Sequence, residues 1–352
     1  MTLPVENETT ETEPAHRRRK RPRKTARNVL LGFAAAVLVA GLIGGGYLYN
    51  LAQTFNSGTT KIDSAFPDES TRPPKTATGA MNILVMGKDK NADRSLDTDD
   101  TAATDQRTDT LMLVHVPADR KNVFAISIMR DTWVNIPGMG EAKINAAMAY
   151  GGVALTVQTV ESLFQQRIDH VAMVDFEGFK GLTDALGGVE VNVQTPFSPS
   201  TLPGHTFNAG KQTLNGTEAL AFVRERKSFP DADYSRVKNQ QLFLKAVISK
   251  TISKETLLNP VTINNMVSAI SPFVSVDKDF DAATIGSLAF QFKDLREKDT
   301  VMFTLPNLGV GTSADGQSIV VADMAAISEI GKAIGQDQLG AYVAANDLGS
   351  GS

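Results

Sequence analysis

Seven aspartates, Asp89, Asp93, Asp97, Asp99, Asp100, Asp105 and Asp109, crowd the short segment from Gly87 to Asp109. So many carboxylates repel one another unless they are hydrated or share a cation. One reading is a divalent metal held by Asp89, at the end of one strand, and Asp109, at the start of the next. Hard oxygen ligands of this kind suit Mg²⁺ or Mn²⁺. A solvated acidic loop fits the composition as well. An EF-hand reading places Asp89, Asn91, Asp93, Asp97 and Asp100 at ligand positions. It meets Arg94 where the turn needs glycine and has an aspartate at the twelfth position.

Opposite these acids stand cations beside structural breaks: Arg107, Arg130, Lys143, Arg224, Arg226 and Arg236. Guanidinium forks match phosphate oxygens two at a time, so the set suits a polyanionic phosphate ligand. Any one of these arginines taken alone reads as an ordinary surface residue, and the argument rests on the combination. Arg130 follows a strand, at the end where open α/β sheets bind ligands. Arg236 and Gln240 are four apart on one expected helix and share a face.

Short β-branched or Leu/Met-rich runs at Asn82–Met86, Thr110–Val116 and Asn122–Ile128 predict adjacent buried strands, with further strands at Val171–Val174, Val189–Val193 and Val301–Leu305. Helices are expected over Glu141–Tyr150 and Val153–Arg167, split by Gly151-Gly152, then over Phe176–Leu186 and Tyr234–Lys250. Two more are expected near Val261–Ile270 and Asp323–Ile334. Asn215 and Glu218 have capping-box spacing before Ala219–Phe222. This interleaving favours a three-layer α-β-α sandwich with a mixed central sheet.

The N-terminus reads differently. Residues 1–27 carry eight Lys/Arg against four Glu, a tail of +4 in a chain of −4, so the remainder sums to −8. The uncharged apolar run Val29–Tyr49 follows, matching the roughly 20 residues that span a bilayer as a helix. Its length argues for a retained anchor over a cleaved signal peptide. The positive-inside tendency leaves the tail in the cytoplasm and residues 50–352 outside a single-pass anchor. The expected organisation is a basic cytoplasmic tail (1–28), a transmembrane helix (29–49), an extracytoplasmic linker (50–79), a catalytic domain (80–345) and a flexible tail (346–352). Cytosolic nucleotide chemistry then becomes an unpromising reading, and no nucleic acid is expected among the partners.

Other chemistries fail on spacing or composition. The chain has no cysteine, which removes thiol nucleophiles, disulfides and Cys-ligated metals. Gly204–Gln212 has P-loop glycines at the wrong spacing, and Ser235–Lys238 spells S-x-x-K without its partner motifs. The four histidines form no H-E-x-x-H, and His115 reads as a core residue. Trp133, the only tryptophan, reads as packing before it reads as a sugar platform.

Eight ordered blocks resemble the LytR–CpsA–Psr family of cell-envelope phosphotransferases. They are Asn82–Asp89, Arg107–Thr110, Ser127–Thr132, Lys143–Ala147, Val174–Phe179, Asp184–Val189, Ala209–Gln212 and Phe222–Arg226. The resemblance implies a sandwich fold with an apolar pocket for a polyprenyl chain. At its mouth, Mg²⁺ and arginines would hold the lipid's pyrophosphate. It implies transfer of a glycopolymer from a polyprenyl-pyrophosphate donor to a peptidoglycan acceptor. Carried over by position, Asp89 and Asp109 are the metal carboxylates, and Arg107, Arg130, Lys143, Arg224, Arg226, Arg236 and Gln240 contact pyrophosphate. Arg130 and Arg226 would stabilise the transition state. Asp131, Asp233 and Asp109 are open alternatives for the base that takes the acceptor's proton. The chain departs from its relatives at Gly87-Lys88-Asp89-Lys90, where Gly-Ser-Asp-Ser is common. The identity of the polymer stays open, as do a hydrolase using water, a non-catalytic lipid-glycan binder and a calcium-binding adhesive domain.

Overall fold

A computed structural model describes residues 42–88, 108–230 and 233–349. It divides into a unit of residues 1–50, whose described part (42–50) is helical, and a unit of residues 51–352. Among the described residues no helix is long and apolar enough to cross a membrane; most of the expected span, 29–41, lies outside them.

The second unit begins with a helix over 51–58 (α1) and runs through strands β1 (Thr60–Lys61), β2 (Met81–Lys88), β3 (Thr108–Val116), β4 (Val123–Ile128), β5 (Thr132–Ile136) and β6 (Gly140–Lys143). Next come α2 (Ala146–Phe164), β7 (His170–Asp175), α3 (Phe176–Ala185), β8 (Val189–Val193), β9 (Gly210–Leu214), α4 (Gly216–Arg224) and α5 (Asp233–Thr251). The chain closes with α6 (Lys254–Leu257), α7 (Pro260–Ile270), β10 (Val274–Val276), α8 (Ala282–Gln291), β11 (Thr300–Thr304), β12 (Asn307–Thr312), β13 (Ser318–Ala322), α9 (Met324–Gly335) and α10 (Leu339–Ala345). Seven strands form a mixed sheet in the order β1-β10-β7-β2-β3-β4-β11. A four-stranded sheet (β12-β13-β5-β6) and the β8-β9 hairpin accompany it.

Period-two alternation along β2 feeds two layers at once. Leu84 and Met86 enter a large core with Val157 and Val160 of α2 and Ile327, Ile330 and Ile334 of α9. Ile83 and Val85 face the other way, toward α7, β10 and α8. A separate cluster joins the β8-β9 hairpin to α3, α4 and α5 through Val191, Phe207, Phe222 and Phe243. The layering is the expected sandwich.

Three expectations need correction. The helix predicted over Glu141–Tyr150 is β6 followed by a turn, because residues 140–143 pair antiparallel with β5 from Trp133↔Lys143 to Ile136↔Gly140. The helix proper starts at Ala146 and is kinked at Gly151 and Gly152, the latter at φ +63°. Nor is 50–79 a free linker. Thr60 and Lys61 pair parallel with β10, Ala65 is buried, and the Arg72 guanidinium bonds the buried Glu161 carboxylate at 2.7 Å. The expected flexible tail is likewise folded as far as 349: the Leu348 N–H donates to Val343 O at 3.1 Å, and the Leu348 side chain packs on the main core.

Candidate functional site

The arginine positions converge because four segments end at one place. β4 ends at Ile128, and Arg130 follows in a turn closed by Thr132, whose N–H and hydroxyl both donate to Met129 O. α4 opens with a complete capping box, in which Asn215 accepts from Thr217 and Glu218 N–H while the Glu218 carboxylate accepts from Asn215 N–H. Gly216 is required there: a Cβ would lie 2.5 Å from Lys180 O, a backbone atom of α3. So anchored, α4 ends at Arg224, where a cation suits the helix dipole.

Glu225 then locks the turn carrying Arg226. It is fully buried and accepts from the Ser200 N–H and hydroxyl (2.5 and 2.9 Å) and from the Ser228 N–H at 2.9 Å. Burial pushes its carboxyl up, but these hydrogen bonds outweigh burial and hold it below the usual range. The Arg224 guanidinium lies over the Phe176 ring, 4.5 Å from its centroid. α5 is fastened across the strand ends: Gln241 Nε2 donates to Ser127 Oγ (3.0 Å) and Thr304 Oγ1 (3.1 Å), and Tyr234 Oη to Asn307 Oδ1 (2.6 Å). Gln240 Nε2 donates to Val223 O at 3.3 Å, tying α5 to the end of α4.

Together these elements enclose a cavity of about 630 Å³. Arg130, Arg224, Arg226, Lys227, Arg236 and Gln240 line it, and Asp175 is its one carboxylate among the described residues. Thr110, Thr183, Ser200 and Thr201 add hydroxyls, and the remaining wall is largely apolar, with Met112, Phe179, Leu220, Phe243, Leu244 and Val247 on it. Five cations against one acid favour a polyanion, and the hydrocarbon wall favours a lipid chain attached to it.

Of the candidate ligands, Arg130, Arg224, Arg226, Arg236 and Gln240 therefore share one cavity. Lys143 is not on its wall; its Nζ lies 3.3 Å from Asp131 Oδ1, and Asp131 Oδ2 lies 3.7 Å from Arg130 Nε, so it reaches the mouth through Asp131. Arg107 and Asp89 lie outside the described residues, and of Asp109 and Asp233 only the backbone is described. The ladder between β2 and β3 steps from Gly87↔Thr110 to Lys88↔Thr108, which leaves Asp109 as the extra residue of an irregularity. Such bulges recur beside active sites, where they re-aim a side chain.

Gly87 and Thr110 themselves line the cavity, so the backbone of Asp109, next to Thr110, lies beside it. By donor chemistry, a pair of aspartate carboxylates such as Asp89 and Asp109 would suit a hard divalent ion. Among the described residues no group of three acidic or histidine side chains could hold a metal.

Lys227 and Asp175 were missed from the sequence. Lys227 directly extends the Arg224–Arg226 motif, and Asp175 sits at a strand's C-terminal end as the N-cap of α3, accepting from Gly178 N–H at 2.9 Å. Both signals were present. His115 is a core residue as read: fully buried, with Nδ1 2.8 Å from Asn82 Oδ1 and Nε2 3.5 Å from Asp337 Oδ1.

The structure thus defines an α/β sandwich with one cavity, at its strand ends, lined by both cations and hydrocarbon. The LytR_cpsA_psr family model matches residues 47–335, and the chain belongs to that family. It is 31% identical over 284 residues to the cell wall biosynthesis protein LcpA of Corynebacterium glutamicum, covering 70% of this chain and 54% of that protein. It is 29% identical over 319 residues to the polyisoprenyl-teichoic acid–peptidoglycan teichoic acid transferase TagU of Bacillus subtilis (89% and 97%). The chain thus spans about half the corynebacterial relative and nearly all of the Bacillus one. The crystal structure of B. subtilis TagV matches with a TM-score of 0.62 at 27% identity, over 74% of this chain and 98% of that one.

Proposed function

We propose that this protein is a membrane-anchored phosphotransferase that moves a glycopolymer from a polyprenyl-pyrophosphate carrier onto peptidoglycan. The observation that carries this reading is one cavity lined both by five cations and by hydrocarbon side chains. The named activity of the Bacillus relative, matched over 97% of its length, supports it. An acceptor hydroxyl oxygen forms a bond to the glycan-side phosphorus and the bond from that phosphorus to the bridging oxygen breaks. Polyprenyl phosphate leaves, and the hydroxyl proton passes to a carboxylate. Arg130, Arg224, Arg226 and Arg236 neutralise charge on the attacked and departing phosphates, where fixed donors are most effective. Asp131, held between Arg130 and Lys143, serves as that base in this reading.

In this reading Asp89 and Asp109 hold Mg²⁺, with Mn²⁺ as a substitute, which supplies Lewis-acid neutralisation of phosphate oxygens when bound. Residues 29–49 anchor the chain, with the basic tail in the cytoplasm and the catalytic unit outside. The test is incubation of the full chain in nanodiscs with a synthetic polyprenyl-pyrophosphate glycan, Mg²⁺ and peptidoglycan oligomers, followed by mass spectrometry. A glycan–peptidoglycan phosphodiester that disappears with EDTA is the expected product. Hydrolysed donor without that product would replace the transferase by a pyrophosphatase, and intact donor that binds tightly would replace it by a binding protein.

A further inference from the structure

The transferase reading leaves the acceptor without a place, and the four-stranded sheet supplies one. β5 alternates: Thr132, Val134 and Ile136 are buried, whereas Trp133 is partly exposed and Asn135 exposed. Their cross-strand neighbours are Lys143 opposite Trp133 and Glu141 opposite Asn135, on the same face because paired residues in an antiparallel ladder point the same way. Trp133 Nε1 donates to Glu141 Oε2 at 3.3 Å, which fixes one edge of the indole. An aromatic surface bordered by a carboxylate, an amide and an ammonium suits a pyranose, whose C–H face stacks on the ring while its hydroxyls and amides find polar partners.

This face is continuous with the reaction centre. Lys143 contacts Asp131 at 3.3 Å, Asp131 contacts Arg130 at 3.7 Å, and Arg130 lines the cavity. In a displacement at phosphorus the incoming oxygen approaches opposite the leaving one. With polyprenyl phosphate departing into the cavity, the acceptor must come from outside the mouth, past Asp131.

The geometry points to the Trp133 face as the acceptor subsite, binding a strand of N-acylated hexosamines so that one hydroxyl reaches Asp131. This rests on the transferase reading, and the two can fail separately. Trp133 is the only tryptophan, so intrinsic emission of the full chain in detergent micelles reports the site directly. Titration with a soluble N-acetylglucosamine tetramer is expected to shift that emission saturably. In the transfer assay, Trp133→Ala should raise the KM for peptidoglycan oligomers about tenfold, the equivalent of one good stacking contact. The KM for the lipid donor should move less than twofold, and Trp133→Phe should recover most of the loss. Silent emission together with an unmoved acceptor KM would overturn the subsite while leaving the transferase intact. A rise in donor KM alone would also overturn it, giving the face to the donor's own sugars. A saturable emission response in a protein that transfers nothing would uphold the subsite and count against the transferase reading.

Discussion

The two faces of the seven-stranded sheet are built to different standards. Toward α2 and α9 the packing is close: Val157, Val160, Ile327, Ile330 and Ile334 are fully buried, and a Cβ on Gly331 would lie 2.1 Å from Phe164 O. Toward α3, α4 and α5 the layers stand apart around the 630 Å³ cavity. Apolar burial on the first face stabilises the fold, and the second face leaves apolar surface uncovered that a lipid chain can bury instead. Stability and binding are thus separated across one sheet.

That separation is testable from its largest consequence down. Arg226→Ala and Arg130→Ala, on the hollow side, should reduce glycopolymer transfer by at least about a hundredfold while circular dichroism and melting remain near wild type. Normal transfer by a folded Arg130→Ala protein would remove the cationic rim from the mechanism.

Two buried titratable groups divide along the same line. Beside α9, burial depresses His115 from 6.5 to about 4, against the pull of Asp337, so it is folded neutral. Between these values the unfolded chain binds the extra proton, and stability should fall by on the order of 3 kcal/mol as pH drops from about 6.5 toward 4. Urea midpoints across that range measure it, and His115→Asn should flatten the curve. On the hollow side Glu225 acts in the same sense, at lower pH. Its carboxyl is lowered from 4.5, so its contribution is complete above that value and disappears only as pH falls through the lower folded one.

A matched pair of truncations sharpens the contrast. Val160→Ala, in the close-packed layer, should cost about 2–3 kcal/mol because a new void adds to the lost transfer energy. Val247→Ala lines a cavity that already exists and should cost about 1 kcal/mol by denaturant titration. Glu225→Gln should lower stability by about 1 kcal/mol and reduce transfer more than it reduces stability, since it loosens the turn holding Arg226.

Much of this was legible in the chain. The apolar runs of β2, β3 and β4, the Asn215 capping box and the length of α5 all appear where their local chemistry puts them, because each is specified within its own segment. That Arg130, Arg224, Arg226 and Arg236 would share one place was legible from their recurrence at strand and helix ends. β6 was not: Glu141, Ala142 and Lys143 favour a helix intrinsically, and only pairing with β5 overrides that preference. The docking of residues 60–72 depends on partners at Glu161 and β10 that no local pattern reveals. Asp175 was passed over because capping a helix is an ordinary role for an aspartate.

α5 has one further property. Arg236, Gln240, Phe243 and Val247 fall at helical intervals of four, three and four, so a single stripe changes along its length from guanidinium to hydrocarbon. Eleven residues at about 1.5 Å each make that stripe a ruler of roughly 16 Å. For the proposed donor, it would set how far the first isoprene units lie from the phosphate they carry. One residue inserted between Gln240 and Phe243 would turn the hydrocarbon half by about 100° away from the cationic half. Headgroup and tail would then be graduated on different sides of the rod, with every ligand side chain still present.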